Sequence, residues 1–123
     1  MANPQLTSTI IGAAIEVHKL LGPGLLESAY EECLAREFTL REVPFERQKP
    51  MPVMYKHVKL ECGYRMDFFV DRSVVVELKT VEAFAPIHEA IVLTYLLLSG
   101  CRVGLLANFN VTVLKSGIRR FVL

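Results

Sequence analysis

The sequence predicts an α/β or α+β fold, a central mixed sheet flanked by helices, and three observations carry that prediction. Two segments with helical spacing open the chain, a run of strand-like segments follows, and an apolar segment of helical length then precedes two last strands. The order is ααβββαββ, without an internal repeat or low-complexity stretch. With 123 residues the chain can build one core but not two, so one domain over residues 1–123 is expected.

From Leu6 to Leu21 the apolar residues Leu6, Ile10, Ala13, Ala14, Val17 and Leu21 recur three or four apart, as on one helix face. Thr7, Ser8 or Thr9 is available to cap that helix. Leu21-Gly22-Pro23-Gly24 combines a helix stop with a sharp turn. Helical spacing then resumes from Leu25 to Leu40 through Leu26, Tyr30, Cys33, Leu34 and Phe38. At Val43-Pro44 the character changes: the stretch to Cys62 is rich in Val, Tyr, Phe and Met and broken by Pro50 and Pro52, which reads as an irregular strand region. Two short hydrophobic runs, Tyr64 to Val70 and Val74 to Leu78, read as the next strands. Ile87 to Leu98, between Pro86 and Gly100, is apolar on nearly every side and is expected to be a buried helix. Arg102 to Asn108 and Gly117 to Leu123 supply the final strands.

Apolar residues make up 52% of the chain and charged residues 22%, which excludes a disordered polymer. A net charge of +1 excludes the global positive field of a dedicated nucleic-acid binder, so any role on DNA must rest on local charge. Gly104 to Leu123 holds Lys115, Arg119 and Arg120 with no acid, and is the end of the chain better suited to face phosphate. Cys33, Cys62 and Cys101 are odd in number and widely spaced, which suggests buried reduced thiols rather than a disulfide frame or zinc site. The N-terminus lacks a basic region and Glu16 interrupts its apolar stretch, so no signal peptide is expected. Ile91 to Leu98 is too short to span a bilayer. A cytoplasmic protein is the expectation. A mean hydropathy of +0.35 in so small a chain suggests uncovered apolar surface, from the last strands or the Ile91 to Leu98 helix, and hence a homodimer.

Charge on the two hydrophobic strands is the most informative feature. Glu77 and Lys79 share one strand face and Leu78 takes the other. If Asp71-Arg72-Ser73 is a three-residue hairpin loop, Val70 faces Val74 and the count places Asp67 opposite Glu77. Two carboxylates that close raise each other's pKa and call for positive compensation, from a divalent cation, Lys79 or both. His57 and His88 have no partner at zinc-ligand spacing. His18, next to the elbow, reads as a C-terminal helix cap. Tyr30 and Tyr95 read as core residues whose hydroxyls reach a polar partner.

Asp67 followed by Glu77-Leu78-Lys79 on adjoining strands, after an acid-bearing helix, is similar to the core of the PD-(D/E)XK nuclease superfamily. Gly24-Leu25-Leu26-Glu27-Ser28-Ala29-Tyr30 resembles the GxxExxY signature of a small bacterial and archaeal family within it. Further likeness runs through His18-Lys19-Leu20-Leu21-Gly22-Pro23-Gly24, Glu46-Arg47-Gln48, Tyr64-Arg65-Met66-Asp67, His88-Glu89-Ala90 and Gly104-Leu105-Leu106-Ala107-Asn108-Phe109-Asn110.

The resemblance implies a restriction-endonuclease-like core and a nuclease that hydrolyses DNA. Mg²⁺ or Mn²⁺ would be held by Asp67, Glu77, Glu27 and the Leu78 backbone carbonyl. Lys79 would orient or deprotonate the attacking water, or neutralise the phosphate, and Gln48 would stand at the edge of the site. Taken by itself, Glu27 near a helix N-terminus also suits the helix dipole. The likeness departs at Ile91, where related nucleases often carry Gln four residues before the tyrosine, here Tyr95, and at Met66, where proline is usual. The alternative is therefore a weakened or inactive nuclease-fold module that binds nucleic acid or protein.

Overall fold

The computed structural model describes residues 4–123. Two helices, α1 (Pro4–Leu21) and α2 (Glu27–Leu40), precede β1 (Phe45–Pro50). After them come β2 (Val53–Tyr55), β3 (Val58–Leu60), β4 (Arg65–Val70), β5 (Val74–Lys79), α3 (Pro86–Ser99), β6 (Val103–Asn108), a 3₁₀ turn (Leu114–Gly117) and β7 (Ile118–Val122).

Helix α1 begins before its expected cap. Pro4, whose φ is already helical, occupies the first turn. Thr7 and Thr9 both lie inside the helix, Thr7 buried and the Thr9 hydroxyl donating back to the Gln5 carbonyl at 3.0 Å. The expected stripe Ile10, Ala13, Ala14 and Val17 is buried, as are Tyr30, Leu34 and Phe38 of α2. Between the helices, Gly22 and Gly24 take φ of 68° and 101°, and the Tyr30 hydroxyl clamps the elbow by donating to the Gly22 carbonyl at 2.5 Å and accepting from the Leu25 amide at 3.2 Å. The α2 helix starts at Glu27, two residues later than Leu25, and Leu26 lies exposed ahead of it. His18 does not cap α1: it is buried and its Nε2 meets the Val111 carbonyl at 2.8 Å, tying the end of α1 to the loop after β6.

Five strands form the mixed sheet in the order β1-β4-β5-β6-β7, in which β5 and β6 are parallel and every other neighbouring pair is antiparallel. This is the restriction-endonuclease-like arrangement the sequence implies. The irregular region after Pro50 holds an addition, a separate two-stranded sheet of β2 and β3 turning at Lys56 and His57, both at positive φ. The sheet carries two cores. Residues of α1 and α2 pack with Phe68, Val70, Val74, Val76, Leu78, Leu105 and Phe109, and residues of α3 pack with Met66, Phe69 and Val75.

Helix α3 is not buried all round. Val92, Tyr95 and Leu96 face the sheet, where Gly104 permits the approach, since a Cβ there would meet Val92 Cγ1 at 2.8 Å. Ile87 and Leu97 on the other side are 60% and 74% exposed, because only one flank of the helix has a sheet to lie on. All three cysteines are free, but only Cys101 is buried as expected, with Cys33 half-buried and Cys62 exposed. No helix among the described residues is long and apolar enough to cross a membrane.

Candidate active site

The hairpin count holds at its turn. Val70 faces Val74 across Asp71-Arg72-Ser73, with Asp71 and Arg72 at φ 50° and 51°, and the ladder continues to Phe68 opposite Val76. Past that pair, side chains take over from backbone. The Asp67 amide donates to Glu77 Oε2 at 2.6 Å and the Leu78 amide donates to Asp67 Oδ2 at 2.8 Å. On its other edge β5 stays paired with β6 as far as Lys79 opposite Asn108. The acids therefore sit where β4 and β5 cease to pair, β4 continuing beside β1 and β5 beside β6.

A backbone distortion turns Asp67 toward that opening. The β1–β4 ladder pairs Arg47 with Phe68 and Lys49 with Met66 but skips Gln48 and Asp67, and Gln48 stands at φ 49°. Alternation fails across the step: Met66 lies in the α3-side core and Phe68 in the α1/α2-side core. Such local irregularities re-aim a side chain at the cost of ladder pairing. The Gln48 amide uses the result to bridge two acids, donating to Glu31 Oε1 at 2.8 Å and to Asp67 Oδ1 at 3.2 Å.

Glu27 arrives from the first turn of α2, and Glu31, one turn on, faces the same way. Arg47 donates to Glu31 Oε2 through Nε at 3.2 Å and Nη2 at 2.9 Å, and also reaches Glu32 at 2.8 Å. Sequence reasoning missed Glu31 and Arg47 as parts of this cluster. The four-residue spacing of Glu27 and Glu31 was the available signal. It also missed Asn108, whose buried amide holds Val81 by both edges, at 3.1 and 2.8 Å, while the Phe109 amide donates to the Lys79 carbonyl at 2.9 Å. Those bonds fix the chain at Lys79 and just beyond it.

Electrostatically the site is short of positive charge. Burial, then the charge of Asp67, pushes Glu77 up to about 8, against the pull of the Asp67 amide and Lys79. Asp67 is raised by burial and then by Glu31, opposed by its bonds from Leu78 and Gln48. Glu27 is raised chiefly by burial, with Lys79 pulling the other way and Asp67 and Glu31 adding to the rise. Three carboxylates thus crowd one lysine, while Glu31 beside them is paired with Arg47. Glu77 is 5% exposed, so water does little to relieve them.

Hard oxygen donors with mutually raised affinities for positive charge are the donor set that Mg²⁺ or Mn²⁺ takes. The fit lies in donor chemistry and charge rather than in a finished cage. Among the described residues no three acidic, histidine or cysteine side chains are gathered to hold an ion as they stand, and Asp67 and Glu77 each turn an oxygen onto a backbone amide.

Of the remaining candidates, Tyr30 and Tyr95 are core residues with satisfied hydroxyls, Tyr95 donating to the Arg65 carbonyl at 2.9 Å. His88 makes a local bond at the start of α3, its Nδ1 accepting from the Ala85 amide at 3.0 Å. In the basic C-terminal segment, Arg119 is drawn to Glu89 of α3 at 2.5 Å and lies over the Phe84 ring. Ile91 is half-buried against the α3-side core. A family model described as PD-(D/E)XK nuclease superfamily matches residues 4–121. No curated protein and no solved structure is significantly similar to the chain.

Proposed function

Because the chain belongs to the PD-(D/E)XK nuclease superfamily, we propose that it is a metal-dependent nuclease that hydrolyses DNA phosphodiester bonds, of the GxxExxY kind within that superfamily. The observation that carries this reading is the meeting of Asp67 and Glu77 across the parted strands, with Glu27 and Lys79 close enough to act on both and the Glu77 carboxyl pushed up to about 8. Asp67, Glu77, Glu27 and the Leu78 carbonyl would hold Mg²⁺ or Mn²⁺. When bound, such an ion supplies Lewis-acid polarisation of the phosphate and a water of lowered pKa.

The chain's own residues do the rest. Lys79 places its ammonium where it orients the attacking water or offsets charge growing on the phosphate. Gln48 and Glu31 hold Asp67 in its rotamer, and Tyr30 holds the elbow from which Glu27 projects. A second reading, a nuclease-fold module that binds without turnover, is favoured by Ile91, an apolar side chain where related nucleases often carry a polar one. A homodimer would suit either reading, since it would cover the open flank of α3.

The test is incubation of plasmid and single-stranded DNA with the protein in Mg²⁺, in Mn²⁺ and in chelator, beside Lys79→Ala. Expected is metal-dependent cleavage that chelator abolishes and that Lys79→Ala lowers by about a hundredfold or more. Cleavage indifferent to Lys79 overturns the nuclease reading. DNA binding without cleavage in any metal favours the module.

A further inference from the structure

Beside the acidic cluster runs a groove of different chemistry. Tyr64, Ile87, Ala90, Ile91, Thr94 and Tyr95 line a cavity of about 150 Å³ between α3 and the residue that leads into β4. None of the six carries a carboxylate, an amine, a guanidine or an imidazole. Thr94 is exposed at its rim, and the Tyr95 hydroxyl is already committed to the Arg65 carbonyl. Tyr64 is 45% exposed, and its ring stands edge-on to Tyr95 at 6.4 Å between centroids and 79° between planes. The main chain beneath it is fixed, because the Met51 amide donates to the Tyr64 carbonyl at 2.8 Å. An aromatic ring thus shows an open face on an anchored backbone.

Tyr95 links the groove to the strand that carries Asp67, through its bond to the Arg65 carbonyl. Tyr95 is a wall of the groove, and burial first, then the charge of Glu77 and that of Asp67, raises its phenol above the ordinary range. Asp67 on β4 follows Tyr64 by three residues in the chain. An uncharged, flat-walled groove has nothing to offer a phosphate but suits a ring, and a cavity near 150 Å³ is the size that takes one six-membered ring. In duplex DNA the faces of the bases are stacked on one another and cannot reach such a wall. In a single strand they can.

We propose that this groove is a base-stacking subsite, where an unpaired base of single-stranded DNA lies against Tyr64 while its backbone passes Asp67, Glu77 and Lys79. The choice of ligand rests on the nuclease reading, and the inference deepens it by naming the substrate class as single-stranded and favouring a pyrimidine next to the site. Stacking on one aromatic ring changes affinity by about five- to a hundredfold.

The experiment is fluorescence anisotropy with a labelled eight-residue oligothymidylate and with a duplex of equal length, in chelator and again in Ca²⁺, for the full chain and for Tyr64→Ala and Tyr64→Phe. Expected is a five- to hundredfold weaker hold on the single strand in Tyr64→Ala, near-normal affinity in Tyr64→Phe, an unaltered salt slope and no change toward duplex. Because Tyr64 is half-exposed, neither variant threatens the core, and a normal melting curve confirms that each is folded. The proposal is overturned by equal loss toward both DNA forms, by no loss in Tyr64→Ala, or by absence of single-strand binding. Cleavage with Lys79→Ala is scored separately: if it refutes the nuclease while the Tyr64 effect persists, the subsite stands as a single-strand binding groove.

Discussion

Glu77 shows at a single residue how the site opposes the fold that carries it. Its carboxyl is buried and held up to about 8, chiefly by loss of solvent and next by Asp67, whereas in an unfolded chain it would titrate near 4.5. Between those two values the unfolded chain gives up a proton that the folded one keeps, so raising the pH through that window favours unfolding, and above it the loss is complete. The cost at pH 8 is on the order of a few kcal/mol. Glu77→Gln keeps the shape and leaves an oxygen to accept from the Asp67 amide. Melting followed by circular dichroism in chelator should show the variant more stable by about 5 °C or more at pH 8 and little changed at pH 4. An equal shift at both values would mean the effect is packing, not charge. The partnership of Asp67 and Glu77 was legible because a hairpin loop of known length sets a register that can be counted. The Gln48 kink was not, because a positive φ at a residue other than glycine leaves no mark in sequence.

Among the elements, the elbow between α1 and α2 shows why a glycine-rich turn and a tyrosine eight residues on belong together. With Gly22 and Gly24 in left-handed conformations the loop has little stiffness of its own, and the Tyr30 hydroxyl supplies it by bonding Gly22 and Leu25 while its ring stacks on Phe109 at 4.6 Å. Tyr30→Phe preserves the stack and strands the Gly22 carbonyl and Leu25 amide. Urea unfolding should show a loss of about 1–3 kcal/mol, and Mn²⁺ affinity measured by calorimetry should weaken because Glu27 follows the elbow. Unchanged metal affinity would leave Tyr30 a structural residue only. The helices, the elbow and the five sheet strands were readable from spacing and from Gly and Pro. The burial of α3 was misjudged because apolarity on all sides reports what a helix tolerates, not how many neighbours it has. The β2–β3 hairpin was hidden by Pro50 and Pro52, which mark irregularity without saying what fills it.

At the scale of the whole molecule, the sheet gathers four carboxylates at the point where β4 and β5 part, in a chain whose net charge of +1 gives no hint of the local excess. Folding alone brings those acids together, since Glu27 and Glu31 lie on α2, Asp67 on β4 and Glu77 on β5. On the proposed metal-dependent reading, an ion held by those acids would bind the folded chain in preference to the unfolded one, and its affinity would add to thermal stability. At a Mn²⁺ concentration a hundred times the dissociation constant, the gain is about 2.7 kcal/mol, worth roughly 10 °C in melting temperature. Thermal melts across a Mn²⁺ series should thus climb with the logarithm of concentration in the unaltered chain and stay flat in Asp67→Asn, which keeps the fold but gives up one charge. The same series in Na⁺ at matched ionic strength separates site binding from general screening. A climb that persists undiminished in Asp67→Asn would place the ion elsewhere on the surface.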